Sequence, residues 1–176
     1  MKYFQMKYIL LKGSIEVSEV WEHQFSNTKT AELIRSFRQV QRSINHLMRV
    51  QADSLDLTPV QMLVLRILQE KPNLSLNELS DRLELGCSTV SGVVKRLVHA
   101  GLIERERLEE DQRTIAVRLT SKGRELERLA FGDDSLVSQA LLRFSELSEQ
   151  KIDMLLDLHQ QLIQILNAEG DETKHE

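Results

Sequence analysis

The sequence contains few of the residues that interrupt helices and few that crosslink secreted proteins. Among its 176 residues are two prolines, seven glycines and one cysteine. So little proline and glycine argues against β-sandwiches, collagen-like segments and flexible linkers, and it predicts a chain in which helices dominate. A single cysteine excludes an intrachain disulfide and a zinc site built from several thiolates, which makes the cytoplasm the simplest compartment.

Long apolar runs are absent as well. The longest have four residues, at positions 8–11 and 62–65, whereas a bilayer span needs about 20 and the core of a signal peptide about 7 to 15. We therefore expect neither membrane insertion nor secretion. The length and the 41% hydrophobic content are those of roughly one soluble globular domain with a core of its own.

The charge is distributed unevenly along the chain. The formal net charge is -4, yet residues 92–124 carry eight Lys and Arg against five Asp and Glu, and residues 131–176 carry three against ten. An acidic chain is unsuited to indiscriminate binding of polyanions. A basic face on an acidic body is nevertheless compatible with a nucleic-acid footprint.

Hydrophobic periodicity predicts long helices toward both ends of the chain. Residues 1–29 show no sustained period and are interpreted as an extension. Apolar residues recur at spacings of 4, 3, 4 and 3 over residues 30–52, and at 3, 4, 3 and 4 within residues 134–168, as on one face of an amphipathic helix. These two stripes either close the monomer core or pack against a second subunit. The stripe residues assigned to such an interface are Leu33, Phe37, Val40, Ile152, Leu155, His159, Leu162 and Leu166.

Capping signals predict three shorter helices between these two regions. Thr58 supplies a capping hydroxyl and Pro59 a first-turn proline for a second helix. Ser75 and Glu78 form a capping box that begins a third. Only residues 84–86 separate the third helix from a fourth, and two short helices joined by three residues predict a helix-turn-helix.

The fourth predicted helix ends at the Ala100-Gly101 stop and is apolar on one side only. Hydroxyls near a helix start can bond phosphates or base edges, a glycine permits close backbone approach, and cations reach phosphates or guanines. The alternative is an ordinary solvated face. The residues predicted to face DNA are Ser88, Thr89, Ser91, Gly92, Lys95 and Arg96.

Residues 102–119 alternate between apolar and polar side chains twice, around a polar turn, and so predict a two-stranded hairpin. Arg113, near its tip, is suited to enter a minor groove, because guanidinium groups fit that narrow, negative channel. Asp111 would hold this arginine in place; the alternative is a surface ion pair of no consequence. Arg105 and Arg107 on the first strand complete the predicted cationic set.

Five segments then follow one another in a specific order and spacing: LTPVQMLVLRIL (57–68), LSLNELSDRL (74–83), CSTVSGVVKRLVHAGLIER (87–105), DQR (111–113) and VRLTSKG (117–123). Together they resemble the MarR family of winged helix-turn-helix transcription regulators, from about residue 31 to residue 166. The resemblance implies a mainly α fold with a small β-hairpin wing. Residues 57–131 would form the winged helix-turn-helix domain, and the two terminal helical regions would form a homodimer.

The resemblance also implies a function. It is that of a sequence-specific regulator of transcription, a ligand-responsive repressor that binds a pseudo-palindromic operator in double-stranded DNA. Residues 86–100 would be the recognition helix and residues 111–113 the wing. The chain departs from the family pattern at Gly86, which stands where the family often has Ser or Thr. No capping hydroxyl is therefore available there for the phosphate contact that the pattern implies.

Members of this family commonly bind small phenolic or other amphipathic molecules between the dimer helices and the DNA-binding lobe. By the resemblance, Phe37, His46 and His159 are candidates to line such a pocket. Ordinary packing is the alternative for each of them, since aromatic residues at helical spacing usually pack.

Cys87, the first residue after Gly86, suggests a redox hypothesis. Thiols at helix N-termini ionise and react with oxidants more readily, so that oxidation there would block DNA binding. The alternative is a small packing residue. Family members that sense peroxide through one cysteine carry it in the first helix, where this chain has none.

Motifs of catalysis and metal binding are missing from the sequence. It lacks a Gly-rich phosphate loop, a G-x-S-x-G elbow and an H-E-x-x-H pair, and its five histidines have no partner at i,i+4. We expect no enzymatic activity, no cofactor and no metal. The rival interpretation is a dimeric winged-helix module that binds a protein through the same helix and does not bind DNA.

Overall fold

The computed structural model describes residues 28–107 and 115–172, which form seven α-helices and three short strands. The chain divides into two compact units, Met1–Ser138 and Gln139–Glu176, with the boundary inside the sixth helix. The first unit contains α1 (Lys29–Asp53), α2 (Pro59–Glu70), β1 (Leu74–Ser75), α3 (Leu76–Leu83), α4 (Cys87–His99), β2 (Ile103–Arg107), β3 (Ile115–Leu119) and α5 (Ser121–Phe131). Then come α6 (Leu136–Leu142), a 3-10 turn (Arg143–Glu146) and α7 (Glu149–Glu172).

Side-chain caps begin the first two helices. Thr28 accepts the Ala31 backbone N–H at the start of α1. Thr58 and Gln61 form a capping box at the start of α2, with Pro59 in the first turn, so the predicted start is confirmed. Such caps satisfy backbone N–H groups that have no partner inside the helix.

The predicted two-stranded hairpin is present, but burial does not alternate along it, because residues 104–106 are all exposed and Ala116 and Val117 are both buried. Strands β2 and β3 pair antiparallel, with Ile103 opposite Leu119 and Arg105 opposite Val117. The prediction of two strands was incomplete, however, because β1 joins the other edge of β3 to give the order β1-β3-β2. A two-residue strand has no alternation to detect, so only its pairing partner defines it.

The core of the first unit lies between α2, α3, α4 and the sheet. Burial of one large aliphatic side chain stabilises a fold by roughly 1.5–3 kcal/mol. The fully buried large side chains include Met62, Leu65, Leu68, Leu74, Leu79, Leu83, Val90, Val94, Leu97, Ile103 and Val117.

A buried glutamine joins α1 to the end of α5 and the start of α6. The Gln51 side chain donates from Nε2 to the Leu129 carbonyl (3.4 Å), and its Oε1 accepts the Leu136 backbone N–H (2.8 Å). Both the NH2 group and the carbonyl oxygen of this buried amide are therefore hydrogen-bonded, as is usual for buried polar groups. The second unit, by itself, is dominated by the single long helix α7.

Candidate nucleic-acid interface

A capping box begins the first helix of a helix-turn-helix. The Ser75 hydroxyl accepts the Glu78 backbone N–H (3.2 Å), and the Glu78 carboxylate accepts the Ser75 backbone N–H (2.9 Å). Helix α3 ends at Leu83 because Glu84 adopts the left-handed conformation, with φ 54° and ψ 36°. The predicted capping box and three-residue turn are thus both confirmed.

Helix α4 follows this turn and buries one side only. Val90, Val93, Val94 and Leu97 face the core. The predicted apolar side of the helix is therefore buried, while its polar side stays open. On that side Ser88, Thr89, Lys95 and Arg96 are exposed, and Ser91 and Gly92 are partly buried.

The two cations of α4 are available to a partner. Lys95 and Arg96 form no hydrogen bond or ion pair within residues 28–107 and 115–172. Because no carboxylate of the described residues pairs with them, both can bind an anionic partner. Their contact with DNA stays a prediction.

The first turn of α4 has no side-chain cap. Gly86 is the N-cap residue and, having no side chain, supplies no side-chain cap, although its carbonyl accepts the Val90 backbone N–H (3.1 Å). The backbone N–H groups of the first turn are therefore open, next to exposed Ser88 and Thr89. Open N–H groups at a helix start, together with the helix dipole, favour an anion such as phosphate.

Gly92 leaves open space in the middle of α4. A Cβ atom added there would meet no atom of the described residues within 4 Å. The packing of this chain therefore does not require glycine at this position. The free space allows a partner to approach the backbone closely.

The strands of the wing carry an ion-pair cluster that the sequence analysis missed. Arg118 of β3 lies between two acids of β2, with Nε 2.8 Å from Glu104 Oε1 and Nη1 2.8 Å from Glu106 Oε2. Arg118 counts toward the basic segment in sequence, but its charge is neutralised in the fold. The signal was present in the register, which places Glu104 directly opposite Arg118.

The remaining wing residues are only partly described. Arg105 is exposed on β2 and forms no hydrogen bond or ion pair with the described residues. Arg107 belongs to the same strand. The side chain of Arg107 and the residues Asp111 and Arg113 lie outside the described residues. Of the predicted wing side chains, the structure therefore describes only that of Arg105.

Cys87 is exposed at the first turn of α4. Its Sγ lies 3.5 Å from Oδ1 of Asn77 on α3. It is therefore not a core residue, and reagents can reach it beside the open first turn.

The predicted interface stripes of the terminal helices are exposed in the single chain. On α1, Leu33, Phe37 and Val40 are 39–55% exposed. On α7, Leu155 is 49% and Leu166 is 73% exposed, whereas Ile152, His159 and Leu162 are half-buried. Of the remaining effector candidates, His46 is exposed on α1.

Residues 28–107 and 115–172 hold no group of three His, Cys, Asp or Glu side chains able to bind a metal ion. In the same ranges, every helix is too short or too polar to cross a membrane.

Comparison with known proteins places the chain in a family. The model of the MarR family matches residues 57–115. The organic hydroperoxide resistance transcriptional regulator of Bacillus subtilis is 36% identical over 78 residues, which are 44% of this chain and 53% of that protein. The chain therefore aligns with only about half the length of this relative.

A second relative aligns over most of its length. The HTH-type transcriptional regulator MgrA of Staphylococcus aureus is 31% identical over 129 residues, which are 73% of this chain and 86% of MgrA. A solved structure of a mutant MarR from E. coli, complexed with operator DNA, has a TM-score of 0.62 at 24% identity and covers 76% of this chain and 95% of that one. This structure has the same winged-helix fold. The chain belongs to the MarR family of transcriptional regulators.

Proposed function

We propose that this protein binds operator sequences in double-stranded DNA as a homodimer and represses transcription in the cytoplasm. The observation that carries the proposal is the exposed polar and cationic side of α4, opposite a side that is fully committed to the core. The operator DNA in the crystallised E. coli relative supports it.

Each part of the proposed interface has a separate chemical task. The open first turn of α4, with Ser88 and Thr89, would hold a phosphate and reach base edges. Ser91 and Gly92 would let the helix approach the major groove closely. Lys95 and Arg96 would bind phosphates or guanines, since guanine offers two acceptors in the major groove.

The wing would add a minor-groove contact. Arg113, held by Asp111, would enter the groove, and Arg105 and Arg107 would bind the flanking backbone. Guanidinium groups favour a narrow minor groove because its negative potential is strongest there.

The exposed apolar stripes support the homodimer. A single soluble chain rarely leaves so many large apolar side chains of one helix in water unless a partner covers them. α7 exposes Met154, Leu155, Leu156, Leu158, Ile163, Ile165 and Leu166. A twofold dimer would present its two recognition helices about 34–36 Å apart and would bind a pseudo-palindrome.

The proposal includes release by a small amphipathic or phenolic molecule. Phe37, His46 and His159 are the residues assigned to such a compound. Screening compounds for release of the bound operator tests this part, and His46→Ala should change the response of a true effector without changing operator affinity.

Salt titration tests the DNA-binding proposal. A duplex selected from random DNA for tight binding is titrated with protein at several salt concentrations. Each phosphate contact makes log affinity fall by about 0.9 per log unit of salt. Lys95→Ala and Arg96→Ala should each weaken binding and lower this slope, while helicity and self-association stay unchanged.

Arg128→Ala is the matched control. Arg128 is also an exposed arginine, but it lies in the last turn of α5 and pairs with Glu125 at 2.8 Å. Its loss should leave both affinity and slope unchanged. A slope near zero for the unmodified chain would contradict DNA binding and favour a protein partner for α4.

A further inference from the structure

The chain reverses sharply at the C-terminal end of α4. Gly101, at φ 70°, donates its N–H to the Val98 carbonyl (2.9 Å), and Leu102 donates to the Leu97 carbonyl (2.9 Å). This pair of bonds is a Schellman motif, in which glycine allows the left-handed residue. The chain then enters β2 at once, so one turn joins the candidate recognition helix to the wing.

The carbonyls of this turn receive donors from the start of α5. The Thr120 backbone N–H donates to the Leu102 carbonyl (3.1 Å), and the Thr120 hydroxyl donates to the Gly101 carbonyl (2.8 Å). Lys122 Nζ donates to the Ala100 carbonyl (3.1 Å). Residues 120–123 (T-S-K-G) thus donate hydrogen bonds to three successive carbonyls. This segment has no part in the proposed DNA contacts.

Gly123 makes this close seating possible. A Cβ atom added at this buried glycine would lie 2.0 Å from the Leu102 carbonyl oxygen. The Gly123 backbone N–H also donates to the Thr120 hydroxyl (3.0 Å), which keeps that hydroxyl in place. Only glycine therefore allows the first turn of α5 to sit on the turn after α4.

Lys122 adds a charge at the favourable end of α4. The C-terminus of a helix carries partial negative charge, and a cation near it is stabilising. Lys122 is exposed and has no carboxylate partner among the described residues. Its ammonium group instead donates a hydrogen bond to the Ala100 carbonyl, at the C-cap of α4.

We propose that Thr120, Lys122 and Gly123 are positioning residues for DNA binding, which fix the angle of α4 relative to the wing without touching DNA. The inference rests on the proposed DNA-binding function. With 13 residues, α4 is about 20 Å long. A tilt of about 10° at its fixed end would move the other end by roughly 3 Å, far beyond the roughly 0.5 Å tolerance of a recognition contact.

Lys122→Met tests the proposal, because it keeps the aliphatic stem and removes the charge and the donor. Affinity is measured for the selected duplex and for a random-sequence duplex of equal length, each at several salt concentrations. We expect affinity for the selected duplex to fall about five-fold or more. Affinity for the random duplex, and its salt slope, should equal those of the unmodified chain. Lys122→Arg, which keeps charge and donor, should restore binding.

Hydrogen exchange provides a second measurement, at the turn after α4 itself. Hydrogen exchange at the Leu102 amide should accelerate in Lys122→Met, because this N–H closes the turn that Lys122 supports. Gly123→Ala should accelerate it further and weaken specific binding more strongly. If Gly123→Ala does not fold, the comparison of duplex affinities between Lys122→Met and Lys122→Arg still tests the positioning role.

Glu127→Gln is the matched control. Glu127 also lies on α5, but it joins α5 to α2 and not to the turn after α4. This variant should be less stable and yet bind the selected duplex normally below its melting transition. An equal loss of specific affinity in Glu127→Gln would assign the effect to general stability and overturn the proposal.

Three further outcomes would overturn it. Equal losses for both duplexes, with a slope lowered by about 0.9, would make Lys122 a direct phosphate contact. Unchanged specific affinity in Lys122→Met, in a parent chain that binds DNA, would remove the positioning role alone. A parent chain that binds no duplex would defeat the DNA-binding proposal, and the positioning role with it.

Discussion

Arg66 of α2 donates from Nη1 to Glu127 Oε1 of α5 across 3.0 Å, and Glu127 is buried while Arg66 is partly exposed. The guanidinium also binds Glu70 (2.9 Å) and lies 5.7 Å from the centroid of the Phe131 ring. Burial alone would lower the pKa of Arg66, but the hydrogen bond to Glu127 and the charge of Glu70 raise it above its ordinary value. Arg66 therefore stays charged, and its hydrogen bond to Glu127 links α2 to α5.

Glu127→Gln should lower the free energy of unfolding by about 1 kcal/mol, since it replaces a charged hydrogen bond by a neutral one. Urea denaturation measures the change. Arg66→Met should not add its full effect to that of Glu127→Gln in the double variant, because both remove the same interaction. Full additivity would show that the pair does not act as a unit.

The Glu78 carboxylate should make stability depend on acid pH. The backbone N–H and then the hydroxyl of Ser75 lower the pKa of Glu78 below its ordinary value of 4.5. Its contribution is fully present above pH 4.5 and is lost as the pH falls through the lower folded value. Unfolding free energies of the parent and Glu78→Gln, measured from pH 7 downward, should therefore converge below pH 4.5. Curves that stay parallel would contradict this.

Glu84→Gly should stabilise the turn of the helix-turn-helix. Glu84 holds a left-handed conformation that glycine adopts without steric cost. The relief outweighs the extra freedom of glycine in the unfolded chain, for a net gain of about 0.5–1 kcal/mol. Glu84→Ala keeps the strain and is the control. A gain of the same size for alanine would assign the effect to the lost charge.

Gly92→Ala should change stability and DNA affinity in opposite directions. The added methyl group has free space and favours the helix by about 0.5–1 kcal/mol. On the DNA it would occupy the gap through which the backbone approaches the groove. Thermal unfolding and titration with the selected duplex measure the two effects. A variant that is more stable and binds equally well would place Gly92 away from the DNA.

Alkylation of Cys87 should block DNA binding, because this only cysteine is exposed at the open start of α4. N-ethylmaleimide should abolish binding of the selected duplex, and bound duplex should slow the alkylation. Cys87→Ser should bind normally and resist the reagent. Peroxide in place of the maleimide tests the redox hypothesis, which equal affinities before and after treatment would contradict.

The sequence predicts the helix-turn-helix well because its signals are local. The capping box at Ser75, the turn at Glu84 and the stop at Gly101 all lie within a few residues of the elements that they bound. The strand β1 was missed because pairing with Val117, far along the chain, defines it. The role of Lys122 was missed for the same reason, since its acceptor is the carbonyl of Ala100.

Charge counting failed at Arg118 for a different reason. A sum over a segment assigns every cation to the surface potential, whereas the register of β2 and β3 sets this one between two acids. Lys95 and Arg96, by contrast, form no ion pair within residues 28–107 and 115–172.

Strand β1 also determines when the fold can be completed. Ser75 is both the last residue of β1 and the cap of α3, and its strand pairs with β3, which is synthesised after both helices of the motif. Such a distant pairing forms late, because the intervening loop must first be closed. During translation, the residues of α3 and α4 are therefore made before those of β3, the partner of β1. A chain that ends before Val117 would contain the residues of both helices but not the partner of β1.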